Sequence, residues 1–152
     1  MEIPMRVWRE GRDPEQRYLL VFRDENDTAL PMTIGPCEAV SIWAALQGEE
    51  GAAPAHEHMS HDLLCEMITA LGGTLRKVVV DDYWHKVYYA KLHIEVDSTV
   101  IAVDARPSDA VAIALRLGAP LFVVDTVLEA ANQPDLPPEP PQESPDLWED
   151  EL

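Results

Sequence analysis

Short stretches of branched and aromatic residues alternate with charged turns through the first thirty-four positions. Ile3 to Trp8, Tyr18 to Arg23 and Thr28 to Ile34 read as strands separated by GRDPEQ and DENDT. At Pro36 the period changes. Ala39, Ile42, Trp43 and Leu46 fall at the i, i+3, i+4, i+7 spacing of one helix face, which predicts a helix over 36–47 packed on that sheet. GEEGAAPAHEHM at 48–59 follows neither period and reads as a loop. Ser60 is then placed to cap a helix whose stripe is Leu64, Met67, Ile68 and Leu71, stopped by Gly72-Gly73. Three more strands follow at Leu75 to Asp81, Val87 to Val96 and Val100 to Asp104. The chain then predicts a helix from Pro107 to Leu117, a short apolar strand or extended piece at Leu121 to Val124 and a short helix from Thr126 to Ala131.

The two principal helix starts repeat each other. GPCEAVSIWAALQ at 35–47 and RPSDAVAIALRLG at 106–118 are offset by 71 residues, and from Pro36 onward five of twelve positions are identical. Glu38 matches Asp109 in charge, and the same offset sets Tyr18 on Tyr89. The matched apolar residues are those that helical periodicity assigns to the buried face, as a duplicated packing unit requires. The expected fold is therefore α+β, with two β-β-β-α units, about 3–48 and 74–118, related by a pseudo-twofold axis and joined by an additional linking helix. They form one domain over 1–131.

Residues 132–152 carry seven carboxylates, six prolines and no Lys or Arg, the composition of a disordered acidic tail in which Leu147 and Trp148 are the only bulky apolar residues besides Leu136 and Leu152. The whole chain has 28 acids against 11 bases, a net charge of −17. Without the tail the balance is still −10. Charge alone therefore argues against a protein held to nucleic acid or to an anionic membrane. Cys37 and Cys65 lack metal or redox spacing and read as reduced packing thiols, which fits the cytoplasm. No apolar run is long enough for a signal peptide or a membrane span, so secretion and membrane insertion are not expected.

Candidate chemistry concentrates in VDARPSDA at 103–110. Asp104 and Arg106 lie two apart at a strand end, a spacing that points both to one side of the strand. Asp109 also has a purely structural use, because Pro107 suits a first helical turn and an acid two residues on answers the positive helix end, as Pro36 and Glu38 do in the first unit. His56, His58 and His61 form a second cluster with Glu57 and Asp62. It lacks the i, i+4 pair of a zinc protease helix, and the loop histidines read as solvated. His61, at a helix start, is placed either to cap or to hold an anion beside its imidazole. Walker loops, dinucleotide fingerprints, nucleophile elbows and paired CxxC motifs do not occur.

LPMTIGPCEA, SHDLLCEMITALGG, VYYAKL and VDARPSDAVAIALRLGAPLFV together resemble the bifunctional nuclease domain in order and spacing, across nearly all of residues 3–131. The resemblance implies a nuclease that cuts RNA and DNA with little sequence preference. Its polar blocks fall on Glu38, on His61 and Asp62, and on Asp104, Arg106, Ser108 and Asp109. The family usually carries Arg-Pro ahead of Thr-His-Asp, where this chain has EHMSHD. The expected mechanism has Mg²⁺ or Mn²⁺ on carboxylates among Glu38, Asp62, Asp104 and Asp109, with His61 as base or acid. Arg106 would clamp the phosphodiester and Ser108 would contact substrate. A homodimer is a further expectation of the resemblance. The alternative is a non-catalytic, self-associating binding or regulatory domain that takes a partner or small ligand in the groove between the units, with VDARPSDA as architecture. The two readings differ in whether these residues meet in the fold.

Overall fold

The computed structural model describes residues 1–48 and 59–132. Strands form where branched and aromatic residues alternate with polar ones: β1 (Glu2–Arg12), β2 (Tyr18–Arg23), β3 (Ala29–Thr33), β4 (Thr74–Trp84), β5 (Val87–Val96), β6 (Thr99–Ala105) and β7 (Leu121–Val124). The helices are α1 (Pro36–Gly48), α2 (Ser60–Ala70), α3 (Pro107–Leu117) and α4 (Asp125–Ala131). All seven strands lie in one sheet of order β3-β2-β1-β7-β4-β5-β6. Short β7 joins the two halves, running antiparallel to β1 and parallel to β4. Each half therefore fans outward from β7 in chain order, and β3 and β6 are the edges.

The core lies on one face of this sheet. Leu20, Phe22, Leu30 and Met32 from the first half and Val78, Val80, Ala90 and Leu92 from the second are covered by Ile42 of α1 and Val111 and Ile113 of α3. α3 packs on β4 and β5, whereas α1 leans on α3 as well as on β2. The hairpin turns at β4–β5 and β5–β6 place both central residues in the left-handed region, His85 and Lys86 in one and Asp97 and Ser98 in the other. That pairing matches the twist of antiparallel strands, even without the glycine usual there.

Three sequence expectations are corrected. Ser60 is the first helical residue of α2, not its cap; Met59 is the cap, and its backbone N–H donates to Asp62 Oδ2 at 3.0 Å. The stripe expected to bury α2 is largely exposed, with Leu71 at 75% and Met67 at 49%; the buried face is the adjacent one, formed by His61 and Cys65 with Ile68 as the member of the stripe that packs on the core. α2 needs that orientation to bring its polar start onto α1 and α3. Of the two cysteines only Cys65 packs inside; Cys37 is exposed at the start of α1.

Candidate functional site

The first turns of three helices meet at one end of the helical layer. α1 contributes Glu38 and Ser41, α2 contributes His61, and α3 contributes Asp109 with Arg106 just before its first residue. Pro36 and Pro107 begin α1 and α3 because a first-turn residue needs no amide hydrogen. Gly35 leaves room that a Cβ would take from the Glu38 carboxylate, which folds back over the start of α1.

These side chains form one continuous hydrogen-bonded chain. Ser41 Oγ lies 2.6 Å from His61 Nδ1, and His61 Nε2 lies 2.9 Å from Asp109 Oδ1. Arg106 Nε donates to Asp109 Oδ2 at 2.8 Å, and its Nη2 donates to Glu38 Oε1 at 2.6 Å. Burial works against charge on Asp109, but the hydrogen bonds from Arg106 and His61 outweigh it and hold the carboxyl below its ordinary value. An ionised carboxylate only accepts, so Nε2 carries the proton toward Asp109; with neutral imidazole, Nδ1 then accepts from the Ser41 hydroxyl. The hydrogen bonds to Asp109 and then to Glu38 raise the Arg106 pKa, keeping the guanidinium charged.

Exposure grades along this chain. Ser41 and His61 are buried, the side chains of Glu38 and Asp109 are partly covered, and that of Arg106 is 67% exposed. A fixed, charged guanidinium with further N–H donors turned to solvent is suited to gripping a phosphate or carboxylate. Arg106 also lines a groove of about 840 Å³, shared with Ser108 and the ends of β3 and the β4–β5 hairpin.

Two of the expected residues stand apart from this arrangement. Asp104 is 90% exposed, and its cationic neighbour is Lys91 at 3.7 Å, not Arg106, because β6 ends at Ala105 and Arg106 turns away as the helix cap. Asp62 is held by Arg116 Nε at 2.7 Å. Among the described residues no group of three or more His, Cys, Asp or Glu side chains is arranged to hold a metal ion. The carboxylates expected to gather one are divided between Arg106, Arg116 and Lys91. This donor set does not fit a prebuilt divalent site. His56, His58 and Glu57 lie outside the described residues.

Sequence reasoning missed Ser41 and Arg116. Arg116 donates to Asp62, to the Ala112 carbonyl and to the Ser41 carbonyl, tying the three helices together behind His61. A hydroxyl within the apolar run of α1 was the available signal for Ser41; a cation in the last turn of a helix, where it also answers the helix dipole, gives no sign of the contacts Arg116 makes.

The family model of the bifunctional nuclease domain matches residues 20–135, most of the chain. The chain belongs to the bifunctional nuclease domain family. A Mycobacterium tuberculosis protein named as uncharacterized is 40% identical over 120 residues, covering 78% of this chain and 69% of its own. Bifunctional nuclease 1 of Oryza sativa subsp. indica is 26% identical over 113 residues, and bifunctional nuclease 2 of Arabidopsis thaliana is 27% identical over the same length. Each plant match covers 72% of this chain and 33% of the plant protein, so the chain spans about a third of these relatives.

Proposed function

We propose that this domain hydrolyses phosphodiester bonds in RNA and DNA, with Arg106 gripping the phosphate and His61 handling the proton. The observation that carries the reading is the chain from Ser41 to Arg106, which ends in an exposed guanidinium at the mouth of a groove. Negative charge grows on the phosphoryl oxygens in the transition state, and a cation already fixed by Asp109 and Glu38 stabilises it without reorganising. Histidine is the side chain that exchanges protons near neutrality, and bonds on both ring nitrogens fix its orientation. The plant relatives named as bifunctional nucleases support the reaction class. Ser108, which lines the groove beside Arg106, is the remaining contact to substrate.

Glu38 and Asp109 are engaged by Arg106, and Asp62 and Asp104 lie with other cations, so phosphate binding falls to Arg106 and proton transfer to His61. Mg²⁺ commonly binds through one or two carboxylates plus substrate phosphates, so an ion arriving with substrate would need only Glu38 or Asp109. The deciding assay scores cleavage of labelled single-stranded RNA and DNA by rigorously purified protein with Mg²⁺, Mn²⁺ or chelator. Arg106→Ala is expected to lose about a hundredfold in rate while remaining folded. Asp104→Ala, which removes an exposed carboxylate outside the chain, is expected to cleave like wild type. Equal cleavage by wild type and Arg106→Ala, or none by either, would sink the proposal.

A second reading, a self-associating domain, draws on a different surface. Leu64, Met67 and Leu71 of α2 and Ile101 and Val103 of β6 are exposed. They are joined through Ile68, which packs at Gly73 with Ile94, the partner of Ile101. The β6 edge carries no proline, unlike Pro31 on the opposite edge, so a second β6 can pair with it by a twofold axis. We therefore add a homodimer to the proposal. The mirrored strand order around β7 fits a duplicated β-β-β-α unit, and among the described residues no helix is long and apolar enough to cross a membrane.

A further inference from the structure

The groove beside Arg106 is lined by cations, although the chain as a whole is acidic. Among the described residues lining it are three cations, Arg17, Lys86 and Arg106, and no Asp or Glu. The full sequence has 28 acids and 11 bases. Arg17 is ion-paired with Asp13 and Glu15, and Arg106 with Asp109 and Glu38, so what the lining offers an anion is fixed N–H donors together with Lys86, rather than a net positive field. The cations also come from separate places: Arg17 from the β1–β2 turn, Lys86 from the tip of the β4–β5 hairpin and Arg106 from the start of α3.

The two arginines are fixed by their acidic neighbours, and Lys86 is placed by its turn. Asp13 is buried and accepts from the backbone N–H groups of Glu15 and Arg17, then from Arg17 Nε at 2.7 Å, which anchors the turn and aims the guanidinium. Glu15 is a second acidic neighbour of Arg17 at 3.2 Å. Lys86 sits in the left-handed position of its turn, on an exposed hairpin tip, with no acidic partner among the described residues. Between these cations the wall is aromatic and apolar. Tyr83 and Tyr88 lie with ring centroids 4.5 Å apart, beside Val87, Ile34 and Pro31.

We infer that this groove holds the nucleotides flanking the phosphate at Arg106 in a single-stranded polynucleotide, with Lys86 and Arg17 contacting flanking phosphates and Tyr83 and Tyr88 forming a wall for the bases. The inference rests on the nuclease reading above. Alternating cations and aromatic rings are the general means of holding single strands, because backbone charge and base faces are present whatever the sequence. A duplex keeps its bases stacked inside and leaves the aromatic wall without a partner. The groove volume of about 840 Å³ lies in the range of pockets that enclose a small ligand, room for part of a strand rather than a helix.

The test is anisotropy of a labelled single-stranded oligonucleotide of about twelve nucleotides with cleavage-resistant linkages, titrated across salt concentrations. Cleavage of the ordinary oligonucleotide is scored in parallel. Lys86→Gly removes the cation and suits the left-handed turn; Arg17→Gln removes the second. Each is expected to weaken binding about fivefold and to lower the slope of log affinity against log salt by about 0.7, the loss of one phosphate contact. Arg6→Glu, on β1 opposite Arg23 and outside the groove, makes a charge change of its own and is expected to bind like wild type. If wild type cleaves but both groove variants bind with unchanged affinity and slope, the groove assignment is wrong and the nuclease reading stands. Duplex bound as tightly as single strand also overturns it. Wild type that neither binds nor cleaves removes both.

Discussion

Glu10 is a carboxyl group placed where water cannot reach it. It lies opposite Leu20 in the β1–β2 ladder, and neither of its oxygens finds a hydrogen-bond partner among the described residues. Burial pushes its pKa up to about 8. The folded protein therefore keeps this proton through a pH range in which the unfolded chain, with an ordinary glutamate near 4.5, has released it. Stability from this group is full below the unfolded value and is lost as pH rises toward the folded one, at about 1.4 kcal/mol per pH unit between them. Glu10→Gln, which keeps shape and removes the ionisation, is expected to match wild type in urea unfolding at pH 5 and to be more stable at pH 8. Identical pH profiles for the two proteins would show that Glu10 is solvated. Asp109 works in the opposite sense: its lowered pKa gives stability present above the unfolded value and lost as pH falls through the folded one. Acid is thus expected to loosen the hydrogen-bonded chain while favouring Glu10.

At the scale of elements, the site depends on how three helices are tied together. Periodicity in the sequence placed α3 and β7 at their observed bounds, since Pro107, Gly118 and Pro120 punctuate a strongly patterned run. It identified α2 but turned it the wrong way, because an apolar stripe shows that a face seeks burial without showing against what. The polar starts of the helices were legible as capping residues, whereas their meeting was not: Arg106 and Glu38 are 68 residues apart, and His61 and Asp109 are 48 apart. Arg116 is the fastening behind them. Its side chain is 10% exposed and joins Asp62 of α2 to the Ser41 carbonyl of α1. Arg116→Met keeps much of the apolar stem but strands the Asp62 carboxylate and frees the start of α2. The expected cost is about 3 kcal/mol in urea unfolding. Cleavage is expected to fall with it even though Arg116 does not line the groove, because His61 loses its fixed place. Full activity in a folded Arg116→Met protein would mean that α2 is positioned by packing alone.

Among the described residues an apolar face is left exposed, while the full chain carries a net charge of −17. These two facts oppose each other in self-association. Burying Leu71, Leu64, Ile101 and Val103 against the same face of a second copy favours a dimer, whereas bringing two strongly negative chains together disfavours it over distances that salt screens. A dimer built this way should therefore tighten as ionic strength rises, the reverse of nucleic-acid binding in the groove, which weakens. The two behaviours are separable in one salt series. Sedimentation velocity on the intact chain is expected to show a concentration-dependent dimer of the 17.0 kDa protein, strengthened by salt. Leu71→Glu and Ile101→Glu each place a charge in the contact at positions already exposed in the single chain, so folding is spared. A cost of about 3 kcal/mol corresponds to more than a hundredfold weaker association. A wild-type chain that sediments as a monomer at every concentration and salt would refute the pairing. The exposed stripe of α2 would then have to be covered by something other than a second copy of this chain.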